Sequence, residues 1–145
     1  MLSLAVMRSL VRLASSVAIA ASLAACATEP KAPSCPDGQQ RLRTAQLFFG
    51  RNIGGKPGVS DAAFGKFVDE ELTPRFPDGL TILDGGGQWR GPENKLIRES
   101  AKVVLIVLPK ARDSAVRIAA VRDAYKARFN QDSVLLITQA ACVSF

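Results

Sequence analysis

The residues that could do chemistry in this chain lie at predicted loops and strand ends. An arginine fork suits a carboxylate or a phosphate, and a tryptophan ring offers a stacking surface for a sugar or a cation. The candidate ligand-binding residues are Arg51, Asn52, Arg75, Asp78, Asp84, Gln88, Trp89 and Arg90. A structural interpretation stays open beside this one, in which the same residues hold turns and sheet edges, with Arg51 paired to Asp84.

The composition excludes several kinds of catalytic and metal site. The chain contains no histidine, so a Ser-His-Asp or Cys-His arrangement and histidine metal ligands are excluded. The glycine-rich loop Gly50–Gly58 lacks the spacing of a phosphate loop, which favours plain turn formation. The carboxylates Asp84 and Glu99 are a weak acid–base candidate, because the sequence does not give their separation. We therefore predict no catalytic residue, no metal and no cofactor.

The charge pattern argues against nucleic-acid binding. The 145 residues include 19 Lys and Arg against 13 Asp and Glu, a formal net charge of +6. These charges are scattered and form no run of Lys or Arg, which is typical of a solvated surface. We therefore predict no nucleic-acid partner.

The N-terminal segment has the anatomy of a secretory signal. Residues Met1–Ala25 combine basic residues, no acid and an apolar run that is too short for a transmembrane helix. The end of this segment, Leu23-Ala24-Ala25-Cys26, resembles the lipobox of bacterial lipoproteins, which implies cleavage before Cys26 and diacylation of its sulfur. An ordinary signal peptide is the alternative. Because Ala27 is not an aspartate, the pattern resembles outer-membrane sorting in a Gram-negative envelope, with the domain on the periplasmic face.

The remaining chain divides into a tether and one domain. Residues 26–40 are rich in proline and polar side chains and predict a flexible tether, and residues 41–145 suffice for a single domain. With Cys26 acylated, Cys35 and Cys142 remain as an even pair in an oxidising compartment. We predict a disulfide between them, with two unpaired thiols as the alternative.

The predicted elements follow the order β-α-β-β-α-β. The strand Leu96–Leu108 contains the apolar run Ala101–Leu108, which predicts the buried centre of a sheet. The other predicted elements are strand Leu42–Phe49, a helix capped by Ser60 and ending near Leu72, a short strand Leu80–Leu83 broken by Asp84–Gly87, helix Ala115–Phe129 and strand Ser133–Phe145. With right-handed crossovers this order predicts an α+β ferredoxin-like sandwich, a four-stranded antiparallel sheet with two helices on one face.

The sheet face without helices is a second candidate functional surface. Strand alternation assigns the apolar Phe48, Val104 and Ile106 to this face, together with the polar Gln46 and Lys102. A mixed face of this kind suits a homodimer packed sheet to sheet, or a ligand cleft between two such sheets.

Three motifs together resemble one known family. They are Leu47-Phe48-Phe49-Gly50-Arg51-Asn52-Ile53, Thr73-Pro74-Arg75-Phe76-Pro77-Asp78-Gly79-Leu80-Thr81, and Asp84 followed by Gly87-Gln88-Trp89-Arg90-Gly91. The combination resembles a bacterial family catalogued as domain of unknown function 3574, from about Arg41 to Phe145. Members resemble secreted proteins or lipoproteins. The resemblance implies domain limits and brings no activity, cofactor or catalytic residue.

Three functions fit these observations. The leading hypothesis is a lipid-anchored periplasmic binding or interaction module that holds an anionic or sugar-bearing partner at Arg51, Arg75, Trp89 and Arg90. The second is a cofactor-free small-molecule enzyme of the dimeric α+β-barrel type, which needs an enclosed apolar pocket. The third is a structural envelope lipoprotein without a ligand.

Overall fold

The computed structural model describes residues 34–91 and 93–145. The predicted signal peptide (residues 1–25), the lipidation site Cys26 and most of the tether lie outside the described residues, so these remain predictions. Within the described part, no helix combines the length and the apolar character that crossing a membrane requires.

The described elements confirm the predicted α+β architecture. In chain order they are β1 (Gln40–Gly50), β2 (Asn52–Ile53), β3 (Lys56–Pro57), α1 (Asp61–Phe67), a π-helical turn (Val68–Leu72), β4 (Thr81–Arg90), β5 (Leu96–Leu108), α2 (Ser114–Phe129) and β6 (Leu135–Val143). The four long strands form one antiparallel sheet in the order β4-β5-β1-β6. This is the ferredoxin-like strand order, and it places β5 in the interior of the sheet as predicted.

Helix α1 begins where the sequence offers a cap. The hydroxyl of Ser60 accepts a hydrogen bond from the backbone N–H of Ala63 at 3.1 Å, and the carboxylate of Asp61 lies in the positive first turn. The helix then widens into the π-helical turn, where the N–H of Thr73 donates to the carbonyl of Val68 at 2.9 Å. The predicted end near Leu72 is confirmed.

An aromatic cluster forms the core between the helices and the sheet. Phe49, Phe64, Phe67 and Tyr125 are buried, and their ring centroids lie 4.7–6.2 Å apart, mostly edge to face. The hydroxyl of Tyr125 donates to the carbonyl of Gly50 at 2.7 Å, which satisfies its buried polar end. Burial raises the pKa of Tyr125, so the phenol stays neutral.

The predicted break of the strand after Leu83 is wrong. Residues Asp84–Gly87 continue β4 without interruption, each opposite a residue of β5. Glycine is unfavourable in a strand interior, but the ladder of hydrogen bonds to the interior strand β5 overrides this preference.

The predicted assignment of β5 to the two faces is also wrong. Val104 and Ile106 are buried beneath the helices, and Lys102 points to the same side. Phe48 does lie on the open face, but its partner across the strands is Val103. Because side chains alternate with a period of two, an error of one residue in phase exchanges every residue between the faces.

The predicted disulfide between Cys35 and Cys142 is confirmed. The two Cα atoms are 5.5 Å apart, and the bond joins positions separated by 107 residues. Cys142 lies opposite Arg41 in the pairing of β6 with β1, so the bridge fastens the start of the domain to an edge strand.

Candidate functional site

An ion cluster of Arg51, Asp61, Asp84 and Lys102 occupies the helix side of the sheet. Lys102 Nζ lies 2.7 Å from the Asp61 carboxylate and 2.5 Å from that of Asp84, and Arg51 Nη1 lies 3.2 Å from Asp61. Hydrogen bonding to Asp61 and Asp84 raises the pKa of Lys102, whose side chain is only 12% exposed. The same lysine, together with Arg51, lowers the pKa of Asp61. Opposite charges therefore balance within the cluster.

The cluster fixes α1 to the sheet and leaves little of Arg51 for a ligand. Besides Asp61, Arg51 donates through Nε to the carbonyl of Val59 at 2.7 Å. The expected direct pair between Arg51 and Asp84 is wrong, because Asp61 binds Arg51 and Lys102 binds Asp84. Arg51 and Asp84 belong to one network of structural contacts.

Two further candidates lie beyond the π-helical turn, away from the ion cluster. Arg75 donates to the carboxylate of Glu71 at 2.8 Å and also to the Glu71 carbonyl. Asp78 is exposed in the following turn, and its carboxylate contacts none of the described residues through a hydrogen bond or ion pair. Arg75 stabilises this turn, and a ligand-binding role of either residue stays a prediction.

Two more candidates hold the hairpin that joins β4 to β5. Gln88 accepts a hydrogen bond from Arg98 Nε at 3.0 Å across the strands. Arg90 donates to the side-chain oxygen of Asn94 at 3.1 Å, and Asn94 adopts a left-handed backbone with φ of 57°. The eight candidates therefore lie at several separate places in the fold.

The open face of the sheet is largely apolar. Leu83, Trp89, Leu135 and Ile137 all point to it, and each is between 43% and 57% exposed. Several large apolar side chains therefore lie exposed on one face of the sheet, whereas exposed apolar residues elsewhere on protein surfaces are usually isolated.

A shallow groove runs along β4 on the open face of the sheet. Gly85 and Gly87 face outward without side chains, between Leu83 at one end and Trp89 at the other. The indole of Trp89 leans over Gly87, with its Cζ3 atom 3.9 Å from the position that a Cβ of Gly87 would occupy. Glu99 lies opposite Gly87 on β5. We call this surface the glycine groove (Leu83, Gly85, Gly87, Trp89 and Glu99).

Glu99 borders the glycine groove from β5, and its carboxylate turns toward β1. It is half-buried, and its Oε1 atom accepts a hydrogen bond from the backbone N–H of Asn52 at 2.7 Å. The carboxylate lies over Gly50, where an added Cβ would come within 2.6–3.0 Å of it, so only glycine leaves this space free. Among the described residues, no Lys or Arg forms an ion pair with Glu99, so no neighbouring cation balances its negative charge.

The candidate list from the sequence contains only part of this groove. Trp89 belongs to it directly, Asn52 lies beside it through its backbone, and the two glycines are missing from the list. Glu99 is predicted only as an acid–base partner of Asp84, and the two carboxylates lie on opposite faces of the sheet. The alternation from Glu99 to Leu105 does place Glu99 on one face with Val103, and that signal could have found it. No group of three or more acidic or cysteine side chains within the described part is placed to hold a metal ion.

Comparisons with known proteins agree with the fold. The chain matches the sequence profile of a family described as "Protein of unknown function (DUF3574)" over residues 44–145. A phage SAM lyase in complex with S-methyl-5′-thioadenosine superposes with a TM-score of 0.56 at 14% identity, over 78% of this chain and 95% of that one. The apo phage SAM lyase gives 0.54 at 18% identity, over 79% and 97%. No curated protein matches the sequence. At these identities the likeness establishes the fold alone.

Proposed function

The chain belongs to the DUF3574 family, and we propose that its domain binds a small sugar-bearing ligand, an adenosine thioether or sulfonium, in the glycine groove. The observation that supports the proposal most is the position of Trp89 over a glycine floor. One strand away, over Gly50, the Glu99 carboxylate forms no ion pair with a described cation. S-Methyl-5′-thioadenosine, bound by the phage lyase of the same fold, is the first ligand to test.

The chemistry of the groove matches each part of such a ligand. A purine stacks on an indole, and removal of the aromatic partner costs about 1–3 kcal/mol per base. A glycine floor lets the flat base approach the backbone, because no Cβ stands in the way. The carboxylate of Glu99 can accept hydrogen bonds from ribose hydroxyls, or attract a sulfonium centre.

Fluorescence gives a direct test, because Trp89 is the only tryptophan in the chain. We expect titration with S-methyl-5′-thioadenosine to change the emission saturably. Gly87→Ala should weaken binding at least tenfold, because the new methyl group would fill the floor of the groove.

The neighbouring substitution Gly86→Ala is the matched control. Gly86 lies in the same strand but faces the helix side, and a Cβ there meets only ordinary contact, 3.8 Å from the carbonyl of Glu99. We expect this variant to bind within about twofold of the unaltered chain. Equal weakening by both substitutions, or unchanged emission at millimolar ligand, would rule out the groove as the site.

Catalysis on the same class of ligand is the second candidate function. Two solved structures that share the fold are of a phage SAM lyase, and this supports the cofactor-free enzyme over a purely structural role. The test is incubation with S-adenosylmethionine and mass-spectrometric detection of S-methyl-5′-thioadenosine. If S-methyl-5′-thioadenosine forms and Glu99→Gln abolishes its formation, the result supports a lyase. Ligand binding without any product supports a binding module.

We also propose that the domain is lipid-anchored at the periplasmic face of the envelope, through acylated Cys26. The lipobox-like end of the signal segment and the disulfide in the folded domain support this location. Metabolic labelling with a palmitate analogue should label the chain, and Cys26→Ser should abolish the label. An unlabelled chain would leave the glycine groove proposal intact and remove the anchor.

The open face also suits a second copy of the chain. Two such faces packed together would enclose the shallow groove and cover the exposed Leu83 and Ile137. We expect light scattering of the purified chain to give twice the monomer mass, and Ile137→Glu to return it to the monomer. A monomer at high micromolar concentration would contradict this arrangement.

A further inference from the structure

A second surface lies at the opposite end of the sheet from the glycine groove. A cleft of about 360 Å³ opens between the start of β1, the end of β5 and the start of α2. Within the described part of the chain, its charged lining consists of three cations, Arg41, Arg43 and Lys110, and no described acidic residue lines it. Leu108 and Ala111 supply apolar wall. The charged lining of the cleft is therefore cationic, and the cleft shares no residue with the glycine groove.

Neutral groups position two of the three cations, Arg43 and Lys110. Arg43 Nη2 lies 3.5 Å from the hydroxyl of Thr138, and Lys110 Nζ lies 3.3 Å from the side-chain oxygen of Gln40. Neither Arg43 nor Lys110 forms an ion pair with any residue that the structure describes. Their positive charges are therefore not balanced locally, unlike those of the ion cluster.

The N-terminal end of α2 adds to the positive electrostatic potential of the cleft. The 16-residue helix begins at Ser114, which lines the cleft, and Asp113 before it makes no side-chain capping hydrogen bond. The Asp113 carboxylate pairs with Arg117 at 2.7 Å instead. A negative group in the cleft would therefore meet both the cations and the positive end of the helix.

We infer that this cleft binds a phosphate ester. Arg43 and Lys110 would hold the phosphate, since guanidinium and ammonium groups without a carboxylate partner are typical phosphate ligands. The apolar wall of Leu108 and Ala111 would contact the organic part of the ester. This inference is independent of the ligand proposed for the glycine groove.

The position of the cleft suggests where such a phosphate could come from. The disulfide holds Cys35 beside the strand end that carries Arg41 and Arg43. From Cys26 to Cys35 the chain spans at most roughly 30 Å when fully extended. With Cys26 acylated, the cleft would lie within reach of phospholipid headgroups. A soluble phosphate ester is the other source of the same chemistry.

The test uses residues 27–145, the chain without the predicted signal segment and Cys26, so that neither an apolar leader nor an acyl group decides membrane binding. The soluble probe is glycerol 3-phosphate, followed by calorimetry, and the membrane probe is sedimentation with vesicles of phosphatidylglycerol or of phosphatidylcholine. The double variant R43Q/K110Q is compared with K56Q/K95Q, which removes the same charge from two exposed lysines outside the cleft.

We expect R43Q/K110Q to weaken glycerol 3-phosphate binding at least tenfold and K56Q/K95Q to change it less than twofold. Ala111→Glu, which places an acid in the cleft, should have the same effect as R43Q/K110Q. If the chain sediments selectively with phosphatidylglycerol vesicles, and R43Q/K110Q but not K56Q/K95Q abolishes this, the phosphate comes from a lipid headgroup. If the chain binds glycerol 3-phosphate but not the vesicles, the ligand is a soluble ester. Binding of neither probe, or equal losses in both double variants, would overturn the inference.

Discussion

Removal of the Cys35–Cys142 disulfide tests the energetics of the fold. The double variant Cys35→Ser/Cys142→Ser deletes a link between positions separated by 107 residues. Cys142 is exposed and Cys35 is only half-buried, so the serines leave no cavity in the core. The change in stability therefore reports mainly on the unfolded chain, which the bridge no longer constrains.

Loop-closure entropy gives the expected size of this effect. A closed loop of about 100 residues contributes about 4.7 kcal/mol at 25 °C in the chain-entropy model. Domains of this size are stable by about 5–15 kcal/mol, so the link supplies a large share of the free energy of unfolding. At about 4–8 °C per kcal/mol, the melting temperature should fall by roughly 20–40 °C.

Urea unfolding measures the loss, with the oxidised chain as the reference and the chemically reduced chain as a second sample without the bond. We expect both unlinked forms to lose about 4–5 kcal/mol and to show a larger dependence on urea, because the unlinked unfolded chain exposes more surface. A loss below about 1 kcal/mol in both forms would refute the entropic account of the bridge.

Three further predictions concern the core, the helix cap and the ion cluster. Phe49→Ala should lower the free energy of unfolding by about 3–5 kcal/mol in urea, because it empties the centre of the aromatic cluster. Ser60→Ala should cost about 1 kcal/mol in the same assay, through loss of the hydrogen bond to Ala63. The lowered pKa of Asp61 stabilises the fold above its ordinary value of 3.8, and this stabilisation is lost as the pH falls through the lowered pKa. Urea unfolding of Lys102→Met from pH 5 to 2 should therefore show a shallower fall in stability than the unaltered chain, and an identical slope would contradict the role of the cluster.

The fold follows from local signals that the sequence contains. Ser60 marks the start of α1, Pro74 follows its end, and the apolar run of β5 marks the interior strand. The order of the elements is then compatible with few topologies, because β-α-β crossovers are right-handed and strands that are consecutive in sequence tend to be neighbours in the sheet. The disulfide could be predicted from the even number of remaining cysteines and the compartment that the sequence predicts.

The site could not be predicted in the same way. The run Gly85-Gly86-Gly87 has low strand propensity, and only pairing with β5 keeps it extended. The run can be recognised as the floor of a groove only when the fold places Trp89 and Glu99 next to it. The partner of Arg51 was likewise not predictable, since several acids were available and the choice of Asp61 depends on how α1 packs on the sheet.

Amide chemical-shift mapping with S-methyl-5′-thioadenosine tests the central proposal most directly. If the open face binds the ligand, the largest shifts will fall on Gly85, Gly87 and Glu99 and saturate with the Trp89 emission. Shifts confined to the cleft around Ala111, or none at millimolar ligand, would contradict it.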